Sequence, residues 1–165
     1  LHRLIRRQRQ MCIRDSDNID DKEWKLQIIG SGEEEEHLNE KIIRDDIKNV
    51  EMIPHTFRIA DYYRNAELFV FTSKMEGFGM VLLEAMSFGV PCVSFDCPSG
   101  PRDIIRNSEN GYLINCYDKE EYCNCVINYI NKSKDEKNLL SDCASKFIEK
   151  WDNNLIIDKW KKLLK

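Results

Sequence analysis

The chain has 165 residues, 42% of them hydrophobic, and a formal net charge of −4. This length is enough for one domain with one core. No run of 18 apolar residues occurs and no secretory signal is visible at the start, so we expect a cytoplasmic protein rather than a membrane-spanning or secreted one. The seven cysteines form no recurring C-x-x-C pairs, which argues against a zinc site and a disulfide framework.

The first sixteen residues, LHRLIRRQRQMCIRDS, do not read as part of a folded protein. Residues 6–16 match the translation of a transposase-type sequencing adapter. We therefore predict that residues 1–16 are not native and that the domain spans residues 17–165. Without their five arginines and one aspartate, 20 basic and 28 acidic residues remain, a net charge of −8. Such an acidic domain argues against nucleic-acid binding. The alternative to an adapter is that residues 1–16 form a basic amphipathic arm. Codons unrelated to the adapter in the underlying DNA would favour this alternative.

Short apolar strands alternate with helices along the rest of the chain. Strands are predicted at residues 25–29, 49–53, 68–72, 92–95 and 112–114, and helices at 33–46, 57–65, 79–88 and 101–106. This alternation predicts an α/β fold with a Rossmann-like parallel sheet of the doubly wound kind, flanked by helices. From residue 118 the chain is predicted to form a helical tail with apolar packing residues, namely Leu139, Leu140, Phe147, Trp151, Leu155, Ile156 and Trp160.

Four loops follow predicted strands, at residues 30–32, 54–55, 73–79 and 96–100. Ligands bind outside the carboxyl ends of parallel strands, so we expect these loops to converge on one edge of the sheet. In the last loop, Gly100 and Pro101 fit the start of a helix. They equally fit the wall of a ligand pocket, and both interpretations stay open.

The segment EGFGMVLLEAMSFGVP, from Glu76 to Pro91, places a glycine loop before a helix. The N-terminus of such a helix is an anion site, because its free N–H groups and its dipole both favour negative charge. Glu84 lies in the helix, roughly 12 Å beyond Glu76 at 1.5 Å per residue. That spacing suits one elongated ligand held at both ends, whereas paired glycosidase carboxylates stand about 5–9.5 Å apart. The alternative is that Glu84 is simply a surface residue of the helix.

Residues 75–114 resemble the C-terminal half of retaining glycosyltransferases of family 4, which have the GT-B fold. The E-x(7)-E pair, GVPCVSFD, PSGPRDII and NGYLI follow one another as in that family. The resemblance runs from about Trp24 to about Trp160. It implies transfer of a hexose or N-acetylhexosamine, with retention, from a nucleoside diphosphate sugar such as a UDP-sugar to a glycan or lipid-linked acceptor. It implies no cofactor and no metal, and a place in polysaccharide, lipopolysaccharide or capsule biosynthesis.

The resemblance also implies a role for each matching residue. Glu76, the catalytic candidate, would hold hydroxyls of the donor sugar, and Glu84 would hydrogen-bond the ribose. Backbone N–H groups of the loop would bind the sugar and the diphosphate, namely those of Gly77, Phe78, Gly79 and Met80. The turn of Gly30 and Gly32 would face the donor. The turn of Pro54 and His55 would face the nucleotide base.

Two parts of the family pattern are missing before Trp24. One is a G-R…K-G segment that gives the diphosphate an arginine and a lysine, and the other is an N-terminal Rossmann domain that binds the acceptor. We therefore expect an inactive fragment of an active enzyme, whose full-length form could associate peripherally with the membrane. Three alternatives stay open: a nucleotide-sugar epimerase of the same fold, an NAD-dependent dehydrogenase, and a non-catalytic nucleotide-binding or scaffold domain. The dehydrogenase is disfavoured because four glutamates follow Gly32 where its motif needs x-x-G.

Overall fold

The computed structural model describes residues 24–164, so the predicted artefact at residues 1–16 lies outside the described part. Its strands are β1 (Leu26–Ile29), β2 (Val50–Ile53), β3 (Phe69–Phe71), β4 (Cys92–Phe95) and β5 (Gly111–Ile114). Each strand lies within one residue of its predicted range. The positions read from the short apolar runs are therefore confirmed.

The helices are α1 (Glu35–Arg44), α2 (Ile59–Asn65), α3 (Met80–Ser87), α4 (Pro101–Ile104), α5 (Lys119–Ile130), α6 (Lys134–Ile148) and α7 (Asn153–Leu163), with a 3-10 turn at Glu149–Trp151. The first four lie inside their predicted ranges and are up to four residues shorter. Helix α4 ends early because the Asn110 side-chain oxygen accepts the N–H of Arg106 at 2.7 Å. This bond gives that N–H a partner outside the helix.

The strands form two parallel sheets rather than one continuous sheet. In the first, β1 pairs with β2, with Leu26 opposite Val50. In the second, β4 lies between β3 and β5, and Cys92 is opposite both Phe69 and Gly111. The parallel α/β architecture is thus as predicted, but within residues 24–164 no ladder joins β1 to β3.

The second sheet is buried on both faces. One face packs on α3 and α6 through residues such as Leu82, Met86 and Ala144. The other packs on α5, where Tyr122 contacts Phe95 and donates its hydroxyl hydrogen to the Val93 carbonyl at 2.9 Å. All four residues of β4 are buried, as expected for the central strand of a covered parallel sheet.

The two sheets meet at the start of β1 and β3. Trp24, just before β1, contacts the Tyr129 ring edge-to-face at 6.2 Å. The Tyr129 hydroxyl donates to the Glu67 carbonyl, just before β3, at 2.7 Å. The Lys137 ammonium lies 4.8 Å from the Trp24 ring centroid and 3.9 Å from the Glu67 carboxylate. Both strands therefore begin at the same junction.

The predicted packing faces of the helical tail are partly confirmed. Leu140 and Phe147 are buried, and Trp151 packs on the core. Leu139 and Trp160 are 65% and 61% exposed, so that prediction is wrong for both. Leu139 precedes Leu140 on α6, and a helix turns about 100° per residue, which carries it away from the core. The side chains of residues 155 and 156 lie outside the described part. Among the described helices, none is long and apolar enough to cross a membrane.

Candidate functional site

The glycine loop, residues 76–79, connects β3 to α3. Gly79 is the N-cap of α3 and has a φ of +83°, a left-handed conformation that favours glycine. No side chain caps this helix, and its first turn contains no acidic residue. The first N–H groups and the positive end of the helix dipole are therefore available to an anionic ligand.

One cavity of about 1460 Å³ brings six of the predicted site residues together. They are Glu76, Gly77, Phe78, Gly79, Met80 and Glu84. A Cβ added at Gly77 would meet nothing within 4 Å, so the loop borders open space on that side. The two carboxylates thus share one cavity with an uncapped helix N-terminus between them. This arrangement fits a ligand with a central anionic group and hydroxyls on both sides.

The other four predicted residues lie on a second pair of loops and do not line this cavity. The His55 N–H donates to the Ser31 hydroxyl oxygen at 3.1 Å, which ties the loop of Gly30 and Gly32 to that of Pro54. The His55 ring also contacts Phe57, which is 97% exposed, at 5.2 Å. The four loops therefore meet as two pairs, one pair at each sheet.

The loop after β4 packs directly against the glycine loop. Gly100 has a φ of +91°, and a Cβ there would stand 2.0 Å from the Phe78 carbonyl oxygen. Asp96 and Arg102 close this loop with two hydrogen bonds of 2.8 Å each. Gly100 also caps α4, with Pro101 at its first position. The predicted helix start is therefore confirmed, whereas the interpretation of this loop as the wall of a ligand pocket stays a prediction.

Two further groups lie beside the glycine loop. The Phe78 ring packs edge-to-face on Trp151, from the end of the helical tail, at 5.2 Å. Burial raises the pKa of the Cys97 thiol, and the nearby Cys116 and Glu76 raise it further. The thiol therefore stays neutral at physiological pH and adds no negative charge beside Glu76.

Tyr63, on α2, is a site residue that sequence reasoning missed. It is 6% exposed, its ring stacks on Phe88 at 5.7 Å, and its hydroxyl lies near enough to Glu84 for that carboxylate to influence its pKa. Burial, followed by the negative charge of Glu84, raises the pKa of Tyr63, so the hydroxyl remains a donor. Glu84 is exposed and lines the cavity, and its role in binding the ribose stays a prediction. No sequence signal could find this contact, because the two residues come from different helices.

Replacing Tyr63 with phenylalanine is expected to weaken nucleotide binding about three- to tenfold, since one hydrogen bond contributes about 0.5–1.5 kcal/mol. The fold should persist, because the ring keeps its place against Phe88. Calorimetric titration with UDP measures the change. Tyr117→Phe removes the same hydroxyl from an exposed tyrosine that does not line the cavity, and serves as the control. An equal loss in both variants would show that Tyr63 does not act through Glu84.

Within the described residues, no group of three His, Cys, Asp or Glu side chains is placed to hold a metal ion. Burial raises the pKa of the Cys92 thiol as well, and that side chain lies wholly inside the core. The described groups of the candidate site include two carboxylates, backbone N–H groups and the dipole of α3.

Comparison with known proteins gives consistent matches. The family model "Glycosyl transferases group 1" matches residues 1–144. The amylovoran biosynthesis glycosyltransferase AmsD of Erwinia amylovora is 32% identical over 148 residues, covering 89% of this chain and 41% of that protein. The chain therefore spans about two fifths of the length of this relative.

Solved structures match in the same way. The crystal structure of TarM has a TM-score of 0.82 and 26% identity, over 94% of this chain and 31% of TarM. The pneumococcal O-GlcNAc transferase GtfA, solved in complex with UDP and GlcNAc, has a TM-score of 0.78 and 25% identity over 93% of this chain and 31% of GtfA. The folds thus agree over nearly all of this chain and about a third of each longer protein.

Proposed function

Because the chain belongs to the glycosyl transferases group 1 family, we propose that it is the donor-binding part of a retaining glycosyltransferase. The complete enzyme transfers a hexose or N-acetylhexosamine from a UDP-sugar to a glycan or lipid-linked acceptor. The observation that carries this proposal is the shared cavity, where an uncapped helix N-terminus lies between Glu76 and Glu84. A nucleoside diphosphate sugar has the matching order of groups: ribose, diphosphate and sugar.

Each part of the site then has one task. The N–H groups at Gly77, Phe78, Gly79 and Met80 bind the diphosphate and the sugar, and the positive end of α3 stabilises the charge that grows as UDP leaves. Glu84, oriented by Tyr63, accepts hydrogen bonds from the ribose hydroxyls. Glu76 accepts hydrogen bonds from the sugar hydroxyls and fixes the anomeric carbon for attack. Gly30, Gly32, Pro54 and His55 lie on the other pair of loops and do not line the cavity, and we assign them to the base on the family resemblance alone. No metal ion or cofactor takes part.

The acceptor binds to the part of the enzyme outside this chain, with the anomeric configuration of the sugar kept. Support for a carbohydrate acceptor comes from the relatives, which are named for amylovoran biosynthesis and for lipopolysaccharide 1,6-galactosyl transfer. We accordingly place the complete enzyme in the cytoplasm, at the inner face of the membrane. Since the acceptor is proposed to bind outside this chain, we expect the isolated chain to be inactive in transfer.

Titration of the 165-residue chain with UDP tests the donor site directly. We expect weak binding, with a Kd on the order of 1 mM, because the arginine and lysine that the resemblance assigns to the diphosphate are not among the residues of this site. Glu84→Gln should abolish this binding, whereas Glu120→Gln, on the exposed first turn of α5, should leave it unchanged. A chain that is folded by circular dichroism but does not bind UDP would contradict the proposal.

A further inference from the structure

Arg102, on the short helix α4, is held to the second sheet by a paired contact with Asp96. Its Nε and one terminal nitrogen donate to different oxygens of the Asp96 carboxylate, each at 2.8 Å. A paired bond of this kind fixes the orientation of the two side chains as well as the distance between them. Asp96 is itself tied to the sheet, because its N–H donates to the Ile114 carbonyl, at the end of β5, at 2.7 Å. Arg102 is therefore anchored to the ends of β4 and β5.

Helix α4 depends on side-chain anchors for its position. It contains only four residues, and a single helical turn is not stable by itself. Its inner side is held by Ile104, which is fully buried in the core, whereas Arg102 lies on its exposed side. The bond to Asp96 therefore holds the side of α4 that the core does not hold.

The position of α4 in turn sets the position of Gly100. The Gly100 carbonyl accepts the Asp103 N–H at 2.9 Å, so this glycine is tied to the first turn of the helix. Gly100 is buried, and a Cβ built on it would stand 2.0 Å from the Phe78 oxygen and 2.4 Å from the Phe78 carbonyl carbon. The backbone at Gly100 therefore lies directly against the Phe78 carbonyl group.

The Phe78 carbonyl belongs to the same peptide group as the Gly79 N–H. This peptide bond is trans, and a trans peptide group is planar, so its oxygen and its N–H hydrogen point in opposite directions. A contact that holds the oxygen therefore also determines the direction of the N–H. The described lining of the cavity includes Phe78 and Gly79 and none of residues 96–102. The Gly79 N–H consequently points away from Gly100, towards the side of the glycine loop where the cavity lies.

We propose that Asp96 and Arg102 are positioning residues for the donor site. Their paired hydrogen bonds hold Gly100 against the peptide group of Phe78 and Gly79, and so direct the Gly79 N–H towards the bound donor. Neither side chain lines the cavity, so both act through the backbone of the glycine loop. The inference rests on the proposed function for the identity of the ligand, whereas the direction of the N–H is a property of the unliganded chain.

Two substitutions break the paired bond from opposite sides. Arg102→Lys keeps the positive charge but cannot donate two parallel bonds, and Asp96→Asn keeps the shape but removes the negative charge. NMR spectra of the unliganded 165-residue chain report the amide shifts of Gly79 and of Gly77, which lies two peptide groups before the contact. We expect each variant to move the Gly79 amide further than the Gly77 amide, whereas a general loss of stability would not single out Gly79. The double variant should add little to either single one, because both remove the same contact.

Titration with UDP, followed in the same spectra, measures the effect on binding. We expect Arg102→Lys to weaken binding about three- to tenfold, the effect of one misdirected hydrogen bond. The matched control is Glu109→Gln, which removes the carboxylate of another exposed ion pair in this segment, 3.8 Å from Arg106. The control should change neither the Gly79 amide shift nor the UDP affinity.

Three results would overturn the inference. An unchanged Gly79 amide in both folded variants would show that the pair does not direct this N–H. Loss of the fold in both variants, seen by circular dichroism, would mean that the pair supports the domain rather than the loop. Equal UDP affinity in Arg102→Lys and the unsubstituted chain would leave the donor site standing and remove the positioning role. If the unsubstituted chain did not bind UDP, the proposed function would fail, and the Gly79 shift would still decide whether the pair orients the loop.

Discussion

Replacing Gly100 with alanine is expected to lower the free energy of unfolding by about 2–4 kcal/mol, because the new methyl group has nowhere to go. Its Cβ would stand 2.0 Å from the Phe78 carbonyl oxygen, and the φ of +91° is itself unfavourable for alanine. Either the β4–α4 loop or the glycine loop must move. Urea denaturation measures the stability, and UDP titration should show that the surviving fold no longer binds.

Gly77→Ala makes the same chemical change where space is available. A Cβ there meets nothing within 4 Å, so stability should change by no more than about 0.5 kcal/mol. The methyl group would project into the donor cavity, so UDP-sugar binding should still fall. If both alanine variants lose the same stability, the contact between Gly100 and Phe78 does not set the loop.

Replacing Glu76 and Glu84 by glutamine is expected to separate two steps of the reaction in the complete enzyme. Glu76→Gln should lower kcat by about 10- to 100-fold, since a hydrogen bond to a charged group contributes about 1.5–3 kcal/mol. UDP affinity should stay unchanged, because in the proposed complex Glu76 contacts only the sugar. Glu84→Gln should instead weaken UDP binding by a similar factor. Initial rates and UDP inhibition constants measure the two effects.

Glu120→Gln controls for the loss of one negative charge away from the cavity. Circular dichroism should show all three variants folded, since neither site carboxylate supports the core. If both site variants lost kcat and UDP affinity to the same extent, the two carboxylates would not contact separate parts of the ligand. The roles assigned to Glu76 and Glu84 would then be wrong.

The order of strands and helices could be predicted because each element has a local signal. The run from Leu68 to Thr72 is apolar enough for a buried strand, and Gly79 and Gly89 bound the helix between them. The cavity shared by Glu76 and Glu84 could also be predicted, because the glycine loop and helix α3 follow one another in the chain.

The separation of the two sheets could not be predicted. Alternating strands and helices give the order of elements, whereas the pairing of β1 with β2, and of β3 with β4, depends on which edges meet in space. The proximity of Tyr63 to Glu84 could not be predicted either, because the two residues lie on different helices whose packing the sequence does not specify. Gly100 carried a turn signal, but only the folded chain shows that the Phe78 carbonyl lies against it.

The packing of Phe78 on Trp151 also has a consequence for synthesis of the protein. A ribosome adds about 5–20 residues per second, so roughly 4–15 s separate the two residues during translation. Throughout that interval the nascent glycine loop lacks the indole that supports it. A transcript that stops just before Trp151 would encode every residue proposed to bind the donor and still release a polypeptide whose glycine loop lacks this contact.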